Sequence, residues 1–168
     1  MTIDFQITPL DIHVFQSLLT LEPEVLASAH AIVLDVDEYP GYPCRVSLID
    51  ARVGEQVLAL PYSHHDVDSP YRASGPVFVR LNAQSHLPAI NEIPEVVKFR
   101  LLSLRAYNHE HMMIYALVTP GGELKAAIET MFAREQVAYL HIHNANPGCF
   151  SCAVHRVNRE YRGIFQRC

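Results

Sequence analysis

The chain carries little charge and almost no lysine. Only 18% of its residues are Asp, Glu, Lys or Arg. Of its 13 basic residues, two (Lys98 and Lys125) are lysine and the rest are arginine. Residues 1–44 hold seven acids and no Lys or Arg, and the whole chain has a net charge of −5 with a pI near 6.0. That balance argues against bulk binding to nucleic acid or to an anionic membrane. Mean hydropathy is +0.07, yet no apolar run approaches the roughly 18 residues of a membrane helix. The opening residues, MTIDFQITPLD, have neither a basic stretch nor a long apolar one, so no secretory signal is expected. Internal repeats and low-complexity stretches are missing too. So are a phosphate loop, a dinucleotide glycine fingerprint, a Gly-x-Ser-x-Gly elbow and a His-Glu-x-x-His motif. Four cysteines, Cys44, Cys149, Cys152 and Cys168, do not make a disulfide scaffold at this length, and free thiols in a reducing cytoplasm are expected.

What is present points to one globular domain. The 168 residues are 49% hydrophobic, and a chain of that size can bury roughly 70% of its unfolded surface. Alternation and β-branched content predict strands over 3–7, 31–36, 45–50, 57–62, 77–81, 99–107, 112–118, 137–143 and 153–157. Helices are predicted over 10–21, with Leu10, Val14, Leu18 and Leu21 on one side, and over 23–30. A third spans 123–134, with Leu124, Ile128, Met131 and Phe132 as its buried stripe. Residues 37–44, with two prolines and a glycine, read as a turn segment, and 63–76 and 88–94 read as loops. The expected architecture is a single α+β domain over 1–157, a mostly antiparallel sheet of about seven to eight strands with two or three helices, followed by a tail over 158–168.

Strand alternation sorts the chemistry by face. Ser103, Arg105 and Tyr107 share one face of their strand. Tyr139, His141 and His143 share one face of theirs, and Arg45 and Ser47 oppose Val46 and Leu48. Guanidinium, imidazole, phenol and hydroxyl groups together suit a binding surface for an anion, with imidazoles available for proton transfer or metal. An ordinary solvated face is the competing reading.

His141-Ile-His143 is the sharpest local feature, because residues i and i+2 of a strand stand about 7 Å apart on one side and both rings can converge on one ion. Three readings compete: zinc or iron ligands, a catalytic or substrate-binding pair, and structural histidines. A third ligand would come from Cys149, Cys44, His155 or a carboxylate such as Asp66, the last of these also with His64 in an iron-type arrangement. Asn144 follows directly and offers an amide to a ligand. Cys149 sits on a glycine turn as a candidate thiolate nucleophile or metal ligand, against the usual fate of a buried inert thiol. Cys149 and Cys152 are discounted as a redox pair, since the segment after them reads as extended. His109-Glu-His111 falls in a hairpin turn and reads as a solvated loop.

Four blocks in order resemble a bacterial family of unknown function, DUF1203: Pro40-Gly-Tyr-Pro-Cys-Arg-Val-Ser-Leu48, Ser69-Pro-Tyr-Arg-Ala-Ser-Gly-Pro-Val-Phe-Val-Arg80, Arg100-Leu-Leu-Ser-Leu-Arg-Ala-Tyr107, and Tyr139-Leu-His-Ile-His-Asn-Ala145 with Gly148-Cys-Phe150. The resemblance implies no activity. It selects Cys44, Arg45, Tyr71, Ser74, Gly75, Arg105, Tyr107, His141, His143 and Cys149, and it leaves out Cys152, His109, His111 and the tail. The resulting expectation is a cytoplasmic enzyme or ligand-binding protein for an anionic small molecule or modified amino acid. In it, His141, His143 and Cys149 act as the reactive groups. Cys44, Arg45, Tyr71, Ser74, Gly75, Arg105, Tyr107 and Asn144 contact the ligand. A metal site on His141, His143 and Cys149 and a non-catalytic regulatory module remain the alternatives. Partner, oligomeric state and substrate are not fixed by the sequence.

Overall fold

The computed structural model describes residues 3–157, so the tail expected over 158–168 lies outside the described residues. Eight strands form two antiparallel sheets. In chain order the elements are β1 (Phe5–Thr8), α1 (Pro23–Ser28), β2 (Ile32–Asp35), β3 (Gln56–His65), β4 (Ala73–Arg80), α2 (Glu95–Lys98), β5 (Leu101–Tyr107), β6 (Met113–Pro120), α3 (Leu124–Phe132), β7 (Tyr139–Asn144) and β8 (Phe150–Arg156), with short 3-10 turns between them. The larger sheet runs β1-β8-β7-β5-β6 and the smaller β2-β3-β4. This is the expected α+β class. No helix among the described residues is long and apolar enough to cross a membrane.

Each sheet has its own core. One face of the larger sheet, with Leu102, Leu104, Ala106, Leu140, Ile142 and Val154, packs against α2 and α3. The α3 stripe is Leu124, Ile128, Met131 and Phe132, all buried, as its 3-4 spacing predicts, and each such side chain contributes about 2 kcal/mol by leaving water. A second core joins Leu58, Leu60, Val77 and Val79 of the smaller sheet to Phe15, Leu18 and Cys44. Gly121 makes a close approach possible: a Cβ there would sit 2.0 Å from the Val97 carbonyl oxygen.

Three local expectations are corrected. Residues 10–21 do not form a helix. They make two 3-10 turns, Ile12–Phe15 and Leu18–Thr20, and Leu21 ends them in the left-handed region at φ 60°. Phe15 and Leu18 are the buried pair, while Val14 and Leu21 are exposed, because two short 3-10 turns do not carry the continuous 3.6-residue stripe of an α-helix. Residues 45–50 are not a strand. The Cys44 N–H bonds the Ile49 carbonyl at 2.9 Å, the Leu48 N–H bonds the Cys44 carbonyl at 3.1 Å, and Leu48 has φ 52°. The apolar alternation there reflects a loop that plugs Val46 into the second core and Leu48 into the first. The loop expected over 63–76 is half strand, since β3 runs on to His65 and β4 begins at Ala73.

Candidate functional site

The register of β5 and β7 joins their polar faces. Ser103 stands opposite His143, Arg105 opposite His141 and Tyr107 opposite Tyr139. Cross-strand partners point to the same side, so these six side chains share the face turned away from the α3 core. The end of β3 covers that face. Between Tyr62 and His65, β3 carries an extra residue relative to β4, and a bulge re-aims side chains that strict alternation would send apart. Two consecutive histidines therefore meet the same cluster. The His64 ring lies 5.1 Å from His143 and stacks on Phe150 at 5.0 Å, while the His65 ring lies 4.9 Å from His141 and 4.3 Å from Tyr107. Phe150, the first residue of β8, also packs edge-on to His141 at 5.1 Å.

Burial sets the protonation of this cluster. His141 is pulled down to about 2, first by burial and then by its histidine neighbours His65 and His143. His143 is held at about 4, again first by burial, with Arg105, His64 and Arg45 adding to it and the bond to the Gly148 backbone opposing it. Burial, His65 and Arg105 bring His64 to about 4. All three rings are therefore neutral at neutral pH. His143 Nδ1 donates to the Gly148 carbonyl at 2.9 Å, which leaves the lone pair on Nε2. That Nε2 is buried without a partner among the described residues, as are Nδ1 of His64 and Nδ1 of His141. Unpaired buried polar atoms are costly and rare, and three in one cluster are a ready set of donors and acceptors for a ligand.

A second chain of bonds runs along the edge of the cluster. His65 Nδ1 donates to the Tyr71 carbonyl at 2.8 Å, and the tautomer with its proton there accepts at Nε2 from the Tyr139 hydroxyl at 2.7 Å. The Tyr139 oxygen then accepts from His111 Nδ1 at 2.8 Å. Burial, with Tyr107, raises the Tyr139 phenol to about 12 and keeps it a donor. His111, expected as part of a solvated turn, is thus half-buried and bonded to a strand residue of the site.

Arginine supplies the positive charge. Arg105 is half-buried, its Nε lies 3.4 Å from Ser103 Oγ, and it acts on Tyr107, His64 and His143. Arg45 is 2% exposed; its Nε donates to the Phe150 carbonyl at 2.8 Å and its Nη1 to the Pro43 carbonyl. Burial lowers its pKa, and the neighbouring Cys149 and Cys44 sulfurs act against that. Among the described residues neither Arg45 nor Arg105 is in an ion pair, whereas Arg72, Arg80 and Arg100 are paired with Asp66, Glu55 and Asp50.

Cys149 does not join the histidines. Its sulfur takes a 3.3 Å bond from Asn144 Nδ2 and lines a separate cleft of about 220 Å³ with Asn144, Arg100, Pro43 and Gly41. Nor does the expected metal set assemble. Asp66 is exposed and paired with Arg72, and among the described residues no three His, Cys, Asp or Glu side chains form a group that could hold a metal ion. The remaining expected ligand contacts are dispersed. Cys44 is fully buried in the second core, with the Ser47 and Arg80 N–H groups on its sulfur. Ser74 and Gly75 line a groove on the smaller sheet with His30 and Ile32. Tyr71 reaches the site through its carbonyl and through a 6.3 Å edge contact with Tyr107. The residues that strand faces alone did not reveal are His64, His65, His111 and Phe150. Continuing the strand of 57–62 to residue 65 places both histidines on β3, and the bulge between Tyr62 and His65 is what turns both toward one cluster.

A family model described as a protein of unknown function (DUF1203) matches residues 41–156. That is more than half of the 168 residues, and the chain belongs to this family. Every residue of the cluster just described lies inside the matched segment. No curated protein and no solved structure matches the chain.

Proposed function

We propose that this member of the DUF1203 family binds a small anion that also carries an O–H or N–H group, on the shared face of β5 and β7. The observation that supports it is the juxtaposition of Arg105, which has no carboxylate partner among the described residues, with the buried, unpartnered Nε2 of His143. A guanidinium without a counter-ion in a half-buried site favours an anion. An imidazole locked as the Nδ1–H tautomer offers a lone pair to a ligand proton. A carboxylate or phosphate on Arg105 and a hydroxyl or ammonium on His143 Nε2 satisfy both groups at once. Phe150 and Tyr107 wall the site with aromatic surface. The chemistry open to it is proton abstraction by His143, with Arg105 holding the charge on the ligand. A cytoplasmic setting belongs to this reading and agrees with three free cysteines among the described residues.

Thermal unfolding with a panel of small anions tests it: acetate and phosphate, then lactate, serine and phosphoserine, which add a hydroxyl or ammonium. A ligand present at a hundred times its dissociation constant stabilises by about 2.7 kcal/mol, or roughly 5–10 °C for a chain of this size. The reading expects such a shift with a member of the second group, reduced at least tenfold in affinity by Arg105→Met and by His143→Ala. No shift with any anion, or equal shifts in both variants, would overturn it.

A further inference from the structure

The Cys149 cleft lies apart from the histidine face and has its own unsatisfied chemistry. Asn144, at the end of β7, is 5% exposed. Its Nδ2 is spent on the Cys149 sulfur, and its Oδ1 is buried with no hydrogen-bond partner among the described residues. Both residues line the cleft of about 220 Å³. Cys149 is partly exposed there, while Cys44 and Cys152 are buried. Arg100, on the cleft wall, is cancelled by a two-pronged pair with Asp50 at 2.7 and 2.8 Å. Arg45, behind the sulfur, has no such partner among the described residues. The cleft therefore combines one accessible thiol and one amide oxygen that needs an N–H, and the buried Arg45 guanidinium stands behind its sulfur rather than on its wall.

We infer that Cys149 is a thiol–disulfide exchange site for a small anionic disulfide that carries an amide N–H near its sulfur, of the N-acylcysteine or cysteinyl-peptide class. The N–H donates to Asn144 Oδ1, and the carboxylate is drawn by Arg45. The Cys149 thiol gives its proton to solvent and its sulfur attacks the nearer sulfur of the ligand. The ligand S–S bond breaks as the new one forms, and the other half leaves as a thiolate that takes up a proton from water. The ligand is itself the oxidant: two electrons pass to its departing half. Asn144 Nδ2 and the Arg45 guanidinium stabilise the negative charge the sulfur carries during attack.

Intact-mass kinetics on the folded chain with Cys168→Ser, which removes the cysteine outside the described residues, test the inference. Three probes separate its parts: the disulfide of N-acetylcysteine (anionic, with N–H), 3,3′-dithiodipropionate (anionic, without N–H) and cystamine (cationic). One adduct per chain is expected, on Cys149 and lost in Cys149→Ser. After correction for each probe's rate with free cysteine, the first probe should exceed the second, and the second the cation, by about tenfold each, the factor a single hydrogen bond or charge contact supplies. Asn144→Ala should erase the first ratio and leave the second. Should that variant not fold, the wild-type ratios still decide. Corrected rates that are equal for all three probes would overturn the inference, as would an adduct on Cys44 or Cys152 in the folded chain, or no adduct on Cys149.

Discussion

His143 and Gly148 hold each other in place: the imidazole Nδ1 donates to the glycine carbonyl at 2.9 Å across the turn between β7 and β8. Gly148 has φ 76°, in the left-handed region that only glycine enters at little cost. The bond fixes the tautomer and so puts the free lone pair on Nε2. A backbone conformation at one residue thereby decides which nitrogen of another is available to a ligand.

Gly148→Ala should therefore act twice. The strained backbone should lower stability by about 1–2 kcal/mol. A rearranged carbonyl should also release the His143 ring and weaken anion binding. Urea unfolding and calorimetry measure the two separately. Lost stability with unchanged affinity would mean that the carbonyl does not position the ring.

Acid should unfold this protein through its histidines. His143 (about 4) and His141 (about 2) sit below the ordinary value of 6.5 because burial disfavours the charged ring. The unfolded chain then binds more protons than the folded one below pH 6.5, so stability falls as pH drops and is restored as it rises. His143 alone accounts for about 3 kcal/mol between pH 6.5 and 4. Unfolding free energies measured across that range should show the slope, and His143→Gln should remove part of it.

Tyr139→Phe removes the hydroxyl that bridges His65 Nε2 and His111 Nδ1. His65 is 3% exposed, so its nitrogen is left buried and unpaired, at a cost of about 1–3 kcal/mol. His111→Ala should cost less alone, and the two changes should be strongly non-additive in a double-mutant cycle. Simple additivity would show that the three groups do not act as a unit.

Arg45 ties the 43–45 segment to β8 through the Pro43 and Phe150 carbonyls. Arg45→Met leaves two buried acceptors unpaired and should cost about 3 kcal/mol or more. Arg45→Lys should recover little, because an ammonium cannot reproduce the planar fork. Thermal melts of the two variants check this, and a lysine variant as stable as wild type would contradict it.

Much of the site was legible because it lies on regular strands. Arg105, Tyr107, His141 and His143 follow from period-two alternation, and their common face needed only the β5–β7 register. The α3 stripe was legible for the same kind of reason. His64 and His65 were not, since adjacent strand residues point to opposite faces unless a bulge intervenes, and no residue type marks this one. Cys149 lies six residues beyond His143 in sequence. The glycine turn carries its sulfur to Asn144 instead, and sequence distance says nothing about which side of a sheet a side chain takes. Residues 45–50 misled because a loop reaching into two cores at Val46 and Leu48 alternates as a strand does.

The most direct measurement is heteronuclear NMR of the ring nitrogens of His143, followed from pH 8 to pH 4 and then with the best-bound anion. The account predicts a neutral ring with the proton on Nδ1 until about pH 4, and an Nε2 signal that moves when the anion binds. A ring that titrates near 6.5, or whose Nε2 ignores a ligand that stabilises the fold, would contradict the claim that His143 and Arg105 form the binding site.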